Sequence, residues 1–390
     1  MFNIKINYMI AFNKYYSLYI HIPWCLKKCP YCDFYSTIFI KNNKQIQEQY
    51  IKNLLLDLKK TLFFIKKKIY IKSIFLGGGT PSLLDEKLIF FLLHEIKKKI
   101  YVLKSAEITI EINPSSISEK KIKSYLNSGI NRFSIGIQSF NDKSLKILGR
   151  IHNSKEAINA INILIKQKIS NFNLDIIYGI PGQTLQDSYN DLYKAISFKP
   201  NHISWYQLTI EKNTIFEKFK PKNWLNDDLL WKIFLQGKKI LFKNKYLQYE
   251  ISSFVKNKKF ICQHNLNYWY FGNYIGIGCN SHSKITLLNN KIIRIIKNNN
   301  IQQYINGNFF NSIKIISHKD IIFEFFLNRF RLYKKIHKKE FQKVTGIKVI
   351  KIIPLIQKAL KIGYLKKIND YWIITNQGYL YLNDLLEIFI

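Results

Sequence analysis

The feature that most constrains this chain is an alternation. Six short apolar or β-branched runs, Leu18–Ile22, Ser73–Leu76, Glu107–Ile112, Arg132–Ile137, Asn173–Tyr178 and Ile203–Leu208, are followed in turn by longer amphipathic stretches. Those stretches are Gln45–Lys66, Glu86–Lys99, Glu119–Leu126, Ser154–Lys166, Leu185–Phe198 and Asp227–Lys243. Apolar runs of this length read as buried strands, and the helical spacing between them reads as helices. Strand followed by helix, repeated in this way, predicts a parallel sheet with right-handed crossovers. Periodicity leaves a doubly wound sheet and a barrel both open. The placement of unusual residues favours the barrel: Cys25, Gly77–Thr80, Glu111, Gln138, Asp175 and Tyr206 all fall at or just past strand C-termini, which converge on one mouth in a barrel. Six units instead of eight leave that barrel incomplete, with a lateral opening. The expected fold class is α/β, an incomplete (β/α)6 TIM-like barrel over residues 1–244.

After Asn244 the rhythm breaks. Residues 245–316, with aromatics and glycines concentrated in Tyr249–Ser283, read as a loop-rich linking segment. From residue 317 the pattern becomes three short helices (Asp320–Phe330, Lys338–Thr345, Val349–Ile362), a hairpin (Tyr364–Lys366 with Tyr371–Thr375) and a closing segment, Asn383–Phe389. Residues 317–390 are therefore expected to form a winged-helix-like α+β domain, a shape that assigns no function by itself.

With 390 residues, 47% of them hydrophobic, the chain can fill a sizeable core without staples. The formal charge of +36, from 61 Lys plus Arg against 25 Asp plus Glu, would ordinarily suggest nucleic acid. Here the lysines are spread over almost every helix and accompany a general enrichment in Asn and Ile, so no specific nucleic-acid site is expected. The longest stretch without formal charge, Phe260 to Ser283, is interrupted by Gln, Asn, His and Gly and does not suit a membrane helix. The first residues, Met1–Tyr8, show no apolar run of the secretory kind, and a cytoplasmic protein with free thiols is expected.

Cys25, Cys29 and Cys32 lie within eight residues. Three thiolates can hold three irons of a [4Fe–4S] cubane and leave the fourth open to an exchangeable ligand. Structural zinc usually takes two ligand pairs, and the remaining cysteines, Cys262 and Cys279, do not form a second pair at that spacing. Gly77-Gly78-Gly79-Thr80-Pro81 follows a strand and precedes a helix. Its amides can meet a carboxylate or phosphate, although a glycine-rich turn also arises for purely geometric reasons. Glu111, Gln138, Arg150 and Asp175 can receive the ammonium and carboxylate of a zwitterion and the hydroxyls of a ribose. Each can equally cap a helix or satisfy a neighbouring backbone group.

The three cysteines, with the aromatic Tyr31 between them, resemble the radical S-adenosylmethionine superfamily, and Gly77–Pro81 resembles its glycine motif. A closer resemblance runs over almost the whole chain, to the coproporphyrinogen-oxidase-like branch and within it to the HemW group of haem chaperones. It is carried by Tyr19–Pro23, Cys29–Phe34, Glu111–Pro114, Phe133–Phe140, Leu148–His152, Asn173–Gln183, Trp205–Glu211, Tyr249–Ser252, His264–Trp269, Phe323–Leu332 and Trp372–Gly378. The resemblance implies S-adenosylmethionine on the open iron, surrounded by Tyr19, Tyr31, Gly78, Gly79, Thr80, Glu111, Gln138, Arg150 and Asp175. The oxygen-independent coproporphyrinogen III oxidases carry a further cysteine where this chain has Phe34, which argues against porphyrinogen decarboxylation.

In the chaperone group the motif matching His264–Trp269 is associated with haem. His264 is then expected to offer an imidazole nitrogen to iron, with Tyr268 and Trp269 against the porphyrin. A hydrogen-bonded histidine in an aromatic loop is the plainer reading of the same residues. Cys262, His282 and His21 remain alternative axial ligands. The turn before His282 departs from its relatives, carrying Asn280 where glycine is usual, and asparagine tolerates the left-handed backbone the turn requires. The expected function is a haem chaperone with a cluster and exchangeable S-adenosylmethionine, passing haem to an acceptor protein, soluble or membrane-associated, with dimerisation left open. The alternative is an oxygen-independent coproporphyrinogen III oxidase or another radical enzyme of tetrapyrroles.

Overall fold

A computed structural model describes residues 14–39 and 44–390; the leader expectation made on Met1–Tyr8 lies outside them. The six expected strands are present as β1 (Tyr15–Ile22), β2 (Tyr70–Gly78), β3 (Val102–Ile112), β4 (Arg132–Gln138), β5 (Phe172–Tyr178) and β6 (His202–Gln207), paired in sequence order and all parallel. The helices Lys44–Leu62, Glu86–Lys99, Glu119–Asn127, Ser154–Lys166, Leu185–Ser197 and Asp227–Lys243 follow these strands. Their starts are well marked: Asn153 and Thr184 each close a capping box with the acidic residue three positions on.

The expectation of a loop-rich stretch after residue 244 needs correction. Leu247–Glu250 (β7) and Ser253–Val255 (β8) extend the sheet antiparallel beyond β6. Asn273–Ile277 (β9) joins the other edge parallel to β1, followed by His282–Thr286 (β10), Ile292–Lys297 (β11) and Phe310–Ile315 (β12). One twelve-stranded sheet results, in the order β12-β11-β10-β9-β1-β2-β3-β4-β5-β6-β8-β7. The glycines in this region mislead because they mark tight strand contacts: a Cβ at Gly278 would lie 2.5 Å from the His21 carbonyl oxygen. Asn280 does take the left-handed conformation expected of it, with φ 59°.

The sheet is two-faced. Phe133, Ile135 and Ile137 of β4 are fully buried in the main core beneath the helices. Ser134, Gly136 and Gln138, on the alternate positions, line a cavity inside the curve. Apolar burial on the outer face holds the scaffold, while the polar inner face is left for a site. An ion pair of Lys297 with Asp57, both fully buried, ties β11 to helix Lys44–Leu62; Thr61 and Tyr304 complete its hydrogen bonds.

The C-terminal region is a separate α+β unit. Helices His318–Arg329, Lys338–Thr345 and Ile353–Ile362 pack with the strands Ile336–His337 (β13), Leu365–Ile368 (β14) and Tyr371–Ile374 (β15). It has its own core, centred on Phe325, Phe326, Phe330, Phe341, Trp372 and Phe389. It docks on the barrel through Arg331, whose guanidinium donates to Glu250 at 3.2 Å, and through Tyr333, whose amide donates to the Tyr249 carbonyl at 3.1 Å.

Candidate functional site

A cavity of about 340 Å³ opens at the C-terminal ends of the parallel strands. Cys25, Cys29 and Cys32 line it together with Tyr31, Gly78, Gly79, Thr80, Glu111, Gln138, Arg150 and Asp175. Residues scattered over the sequence from position 25 to 175 thus meet at one mouth. Tyr19 does not reach the cavity wall; its hydroxyl bonds His21 Nδ1 at 3.0 Å, and its ring stacks near Phe75.

The cysteine loop leaves β1 through a short parallel bridge, Trp24–Cys25 with Thr37–Ile38, which returns the chain to its starting point. Thr80 Oγ1 lies 3.6 Å from Cys25 Sγ, and Arg150 Nη1 lies 3.8 Å from Cys29 Sγ. Burial pushes the Cys25 thiol up and the Cys32 thiol up to about 11. Thiolates therefore need a cation at this place to persist. Among the described residues no three His, Cys, Asp or Glu side chains converge as a single bound ion requires. A cubane asks for something else, thiols spread around a wall so that each meets a different iron, and the three cysteines fit that demand.

The glycine turn acts differently from expectation. The Gly79 amide donates to the Ile22 carbonyl at 2.7 Å, the Thr80 amide to the Trp24 carbonyl at 2.7 Å, and the Gly78 amide to Glu111 Oε2 at 3.2 Å. These amides are spent on the protein itself: those of Gly79 and Thr80 clamp the segment that leads to Cys25, and that of Gly78 holds the Glu111 carboxyl. A Cβ at Gly79 would lie 2.6 Å from the Trp24 carbonyl oxygen, so only glycine permits the approach.

Glu111 is half-buried in the cavity wall. Burial first and the neighbouring Asp175 second push its carboxyl up to about 8. Asp175 is raised as well, chiefly by burial, against hydrogen bonds from Asn173 and Ser134. Two carboxyls held towards neutrality in one cavity favour a cationic group arriving between them. Arg150, anchored to the Gly136 carbonyl at 2.9 Å, supplies the opposite charge, and its buried Nε has no partner. Gln138 has φ 67°, and the Ser139 amide reaches back to the Ile137 carbonyl at 2.9 Å, a γ-turn that re-aims the side chain. Tyr206 fixes it, its hydroxyl donating to Gln138 Oε1 at 3.0 Å.

Ser134, Ser204, Glu250 and Asn265 also line the cavity and are not among the expected residues. Ser134 and Ser204 had a signal: they are polar at the inward, every-second positions of strands whose other positions are apolar. Glu250 was marked only by the Tyr249–Ser252 resemblance and not by any strand pattern, because its place depends on β7 and on Arg331.

His264 is not presented to this cavity. It is 1% exposed; its Nδ1 bonds Ser73 Oγ at 3.2 Å and its Nε2 bonds the Tyr268 hydroxyl at 2.9 Å. Burial lowers its pKa to about 3. The short helix Gln263–Trp269 presents Asn265 and Trp269, four residues apart, to the cavity, while His264 and Tyr268 turn into the protein. Cys262 is fully buried beside Glu107, with its thiol pushed up to about 12. His21 is buried with both nitrogens engaged, to Tyr19 and to the Tyr35 carbonyl at 3.0 Å. Of the four axial candidates, His282 is the exposed one.

A half-barrel with three cysteines at its mouth and a polar cavity beneath them defines a radical S-adenosylmethionine protein. Residues 19–192 match the Radical SAM superfamily, and residues 316–381 match the HemN C-terminal domain. The chain is 49% identical over 374 residues to the heme chaperone HemW of Buchnera aphidicola subsp. Schizaphis graminum, covering 96% of this chain and 98% of that one. It is 43% identical to the heme chaperone HemW of Escherichia coli K12, again over 96% and 98%. The chain belongs to the HemW family. Among solved structures it is similar to the coproporphyrinogen III oxidase HemN of Escherichia coli, with a TM-score of 0.80 over 98% of this chain and 92% of that one. At 19% identity that likeness shows the fold alone.

Proposed function

We propose that this protein binds haem and passes it to an acceptor haem protein in the cytoplasm, carrying a [4Fe–4S] cluster and exchangeable S-adenosylmethionine. The observation that carries the reading is identity of 43–49% to heme chaperones along 96% of the chain. Phe34 supports it, lining the cavity where the resembling oxidases carry a further cysteine. Among the described residues no helix is long and apolar enough to cross a membrane.

In this reading residues 1–244 hold the cluster and S-adenosylmethionine, residues 245–316 supply the haem contacts, and residues 317–390 brace them through Arg331. Cys25, Cys29 and Cys32 each take one iron. When bound, the cluster supplies an open iron for the amino and carboxylate groups of S-adenosylmethionine. Glu111 and Asp175 favour its cationic part, Arg150 its carboxylate, and Gln138, Thr80, Gly78, Gly79 and Tyr31 shape the walls. Tyr19 acts from behind, by orienting His21. His264 reaches haem iron only if it leaves its bonds to Ser73 and Tyr268, which requires helix Gln263–Trp269 to shift. Trp269 already stands in the cavity wall.

Anaerobic reconstitution followed by haem titration tests the proposal. A saturable Soret band at one haem per chain is expected, with no decarboxylated product from coproporphyrinogen III under reducing conditions. Absence of saturable binding, or appearance of that product, overturns it.

A further inference from the structure

A second cavity, of about 230 Å³, shares Trp269 with the first. Its walls are aromatic, from Tyr268, Trp269, Phe271 and Tyr274, and its polar lining is cationic, from Lys284 and Arg294. The cations come from the register of the sheet. Tyr274 of β9 stands beside Lys284 of β10, Lys284 beside Arg294 of β11, and Arg294 beside the exposed Lys314 of β12. Like charges placed directly opposite one another across strands are destabilising, and here two of the three are turned towards the protein interior. Lys284 is 2% exposed.

The compensation inside the protein is incomplete. Glu324, from helix His318–Arg329, pairs with Arg294, which also meets the Tyr274 hydroxyl. Lys284 Nζ donates to the Phe271 carbonyl at 2.8 Å and lies 3.8 Å from the centre of the Phe271 ring. Among the described residues no acidic side chain forms an ion pair with it. Burial, and Arg294 beside it, pull its pKa down to about 7, with Glu324 opposing them only in part. A second carbonyl, of Gly272, lies at 3.5 Å, but a buried lysine without an ion-pair partner is a costly way to satisfy two neutral acceptors; an arriving anion would complete it.

We propose that this cavity is a carboxylate subsite, in which Lys284, backed by Arg294, receives a carboxylate arm of the haem cargo. The assignment rests on the haem reading above. The aromatic walls suit the edge of a conjugated ring, the cations suit its carboxylate, and the cavity admits a side chain but not a whole macrocycle. Its shared wall, Trp269, sets the arm next to the Gln263–Trp269 helix.

The test uses the full-length, cluster-reconstituted protein, titrated with ferric haem and with its dimethyl ester, in which both carboxylates are blocked. On the wild type the ester is expected to bind about 10–100-fold more weakly, the range for charge-assisted hydrogen bonds. On Lys284→Met the two are expected to bind alike, and Lys284→Arg is expected to restore part of the difference. Should Lys284→Met not fold, Lys284→Gln keeps a donor for the Phe271 carbonyl without the charge. Equal affinity of haem and ester on the wild type overturns the subsite, as does an undiminished preference for haem in the neutral variant. Both outcomes leave saturable haem binding intact. Failure of the wild type to bind haem at all removes the haem reading and the subsite with it.

Discussion

The cavity mouth and the helix Gln263–Trp269 lie side by side and were assembled by different means. At the mouth, Cys25 follows β1, Glu111 and Gln138 come from the ends of β3 and β4, and Asp175 comes from the middle of β5, so the parallel sheet brings together residues from separate strands. Their geometry is ready before any ligand arrives: the glycine turn is clamped, Gln138 is held by Tyr206, and Arg150 is anchored. In the helix, by contrast, the residue expected to do chemistry is locked away, with both nitrogens of His264 satisfied inside the protein. One part of this site is therefore preformed and the other is closed, so ligands of the two parts should differ in how strongly the protein must rearrange to take them.

The largest effect that would break this comparison is at the cysteines. Cys29→Ser is expected to reduce iron per chain to background after reconstitution, while the far-ultraviolet circular dichroism stays unchanged. The loop is held by the Trp24–Cys25 bridge and by the clamped glycines, and no core residue is removed. A variant that retains a full complement of iron shows that the cavity thiols are not the ligands.

A middle-sized effect is expected at Glu111. Its carboxyl titrates near 8 in the fold and near 4.5 when exposed. Between those values the folded chain keeps a proton that the unfolded chain releases, so this group's contribution to stability falls as pH rises through the window. Glu111→Gln is expected to flatten that fall, raising Tm at pH 8 relative to pH 5 in ligand-free protein. It is also expected to weaken S-adenosylmethionine binding by about tenfold or more, the effect of a charge-assisted hydrogen bond lost from a buried site. Melting curves across pH and a binding titration check both. Unchanged affinity would show that the preformed mouth receives a different ligand.

The legibility of the sequence followed the same division. The parallel strands and their helices were readable because both faces of the problem left marks: apolar residues at Phe133, Ile135 and Ile137 for the core, polar ones between them for the site. The gathering of Glu111, Gln138, Arg150 and Asp175 followed once those strands were placed in one barrel. The strands after Asn244 were not readable, because Gly276 within β9 and Gly278 just past it are close-contact positions that resemble loop punctuation. The burial of His264 was hidden for a related reason: it depends on Ser73 of β2, 191 positions away, and on which side of a seven-residue helix faces the barrel. Backbone strain at Gln138 left no trace in composition, since glutamine has no special tolerance for a positive φ.

The smallest effect tests the closed half directly. Ser73→Ala removes the partner of His264 Nδ1, and with it the 2.7 Å bond between Ser73 and Ser17 in the strand interior, without altering any residue of the Cys262–Trp269 stretch. A buried hydrogen bond of this kind contributes about 1 kcal/mol. If haem requires the released histidine, its apparent affinity is reduced by the fraction of chains in which the ring is free. Weakening the closed form by that amount is then expected to tighten haem binding about fivefold and to speed its uptake, with cluster content unchanged. The lowered pKa of His264 gives the sign of a second signature. The folded ring stays neutral down to about pH 3, so its contribution to stability is lost as pH falls below the ordinary histidine range, and a ring loosened by Ser73→Ala should protonate earlier and show a shallower loss. Stopped-flow Soret traces read the first effect and acid melting curves the second. Haem binding that is unchanged or weaker in Ser73→Ala, with the acid signature present, would mean that the ring has been freed and haem does not use it, leaving the exposed His282 as the axial candidate to examine.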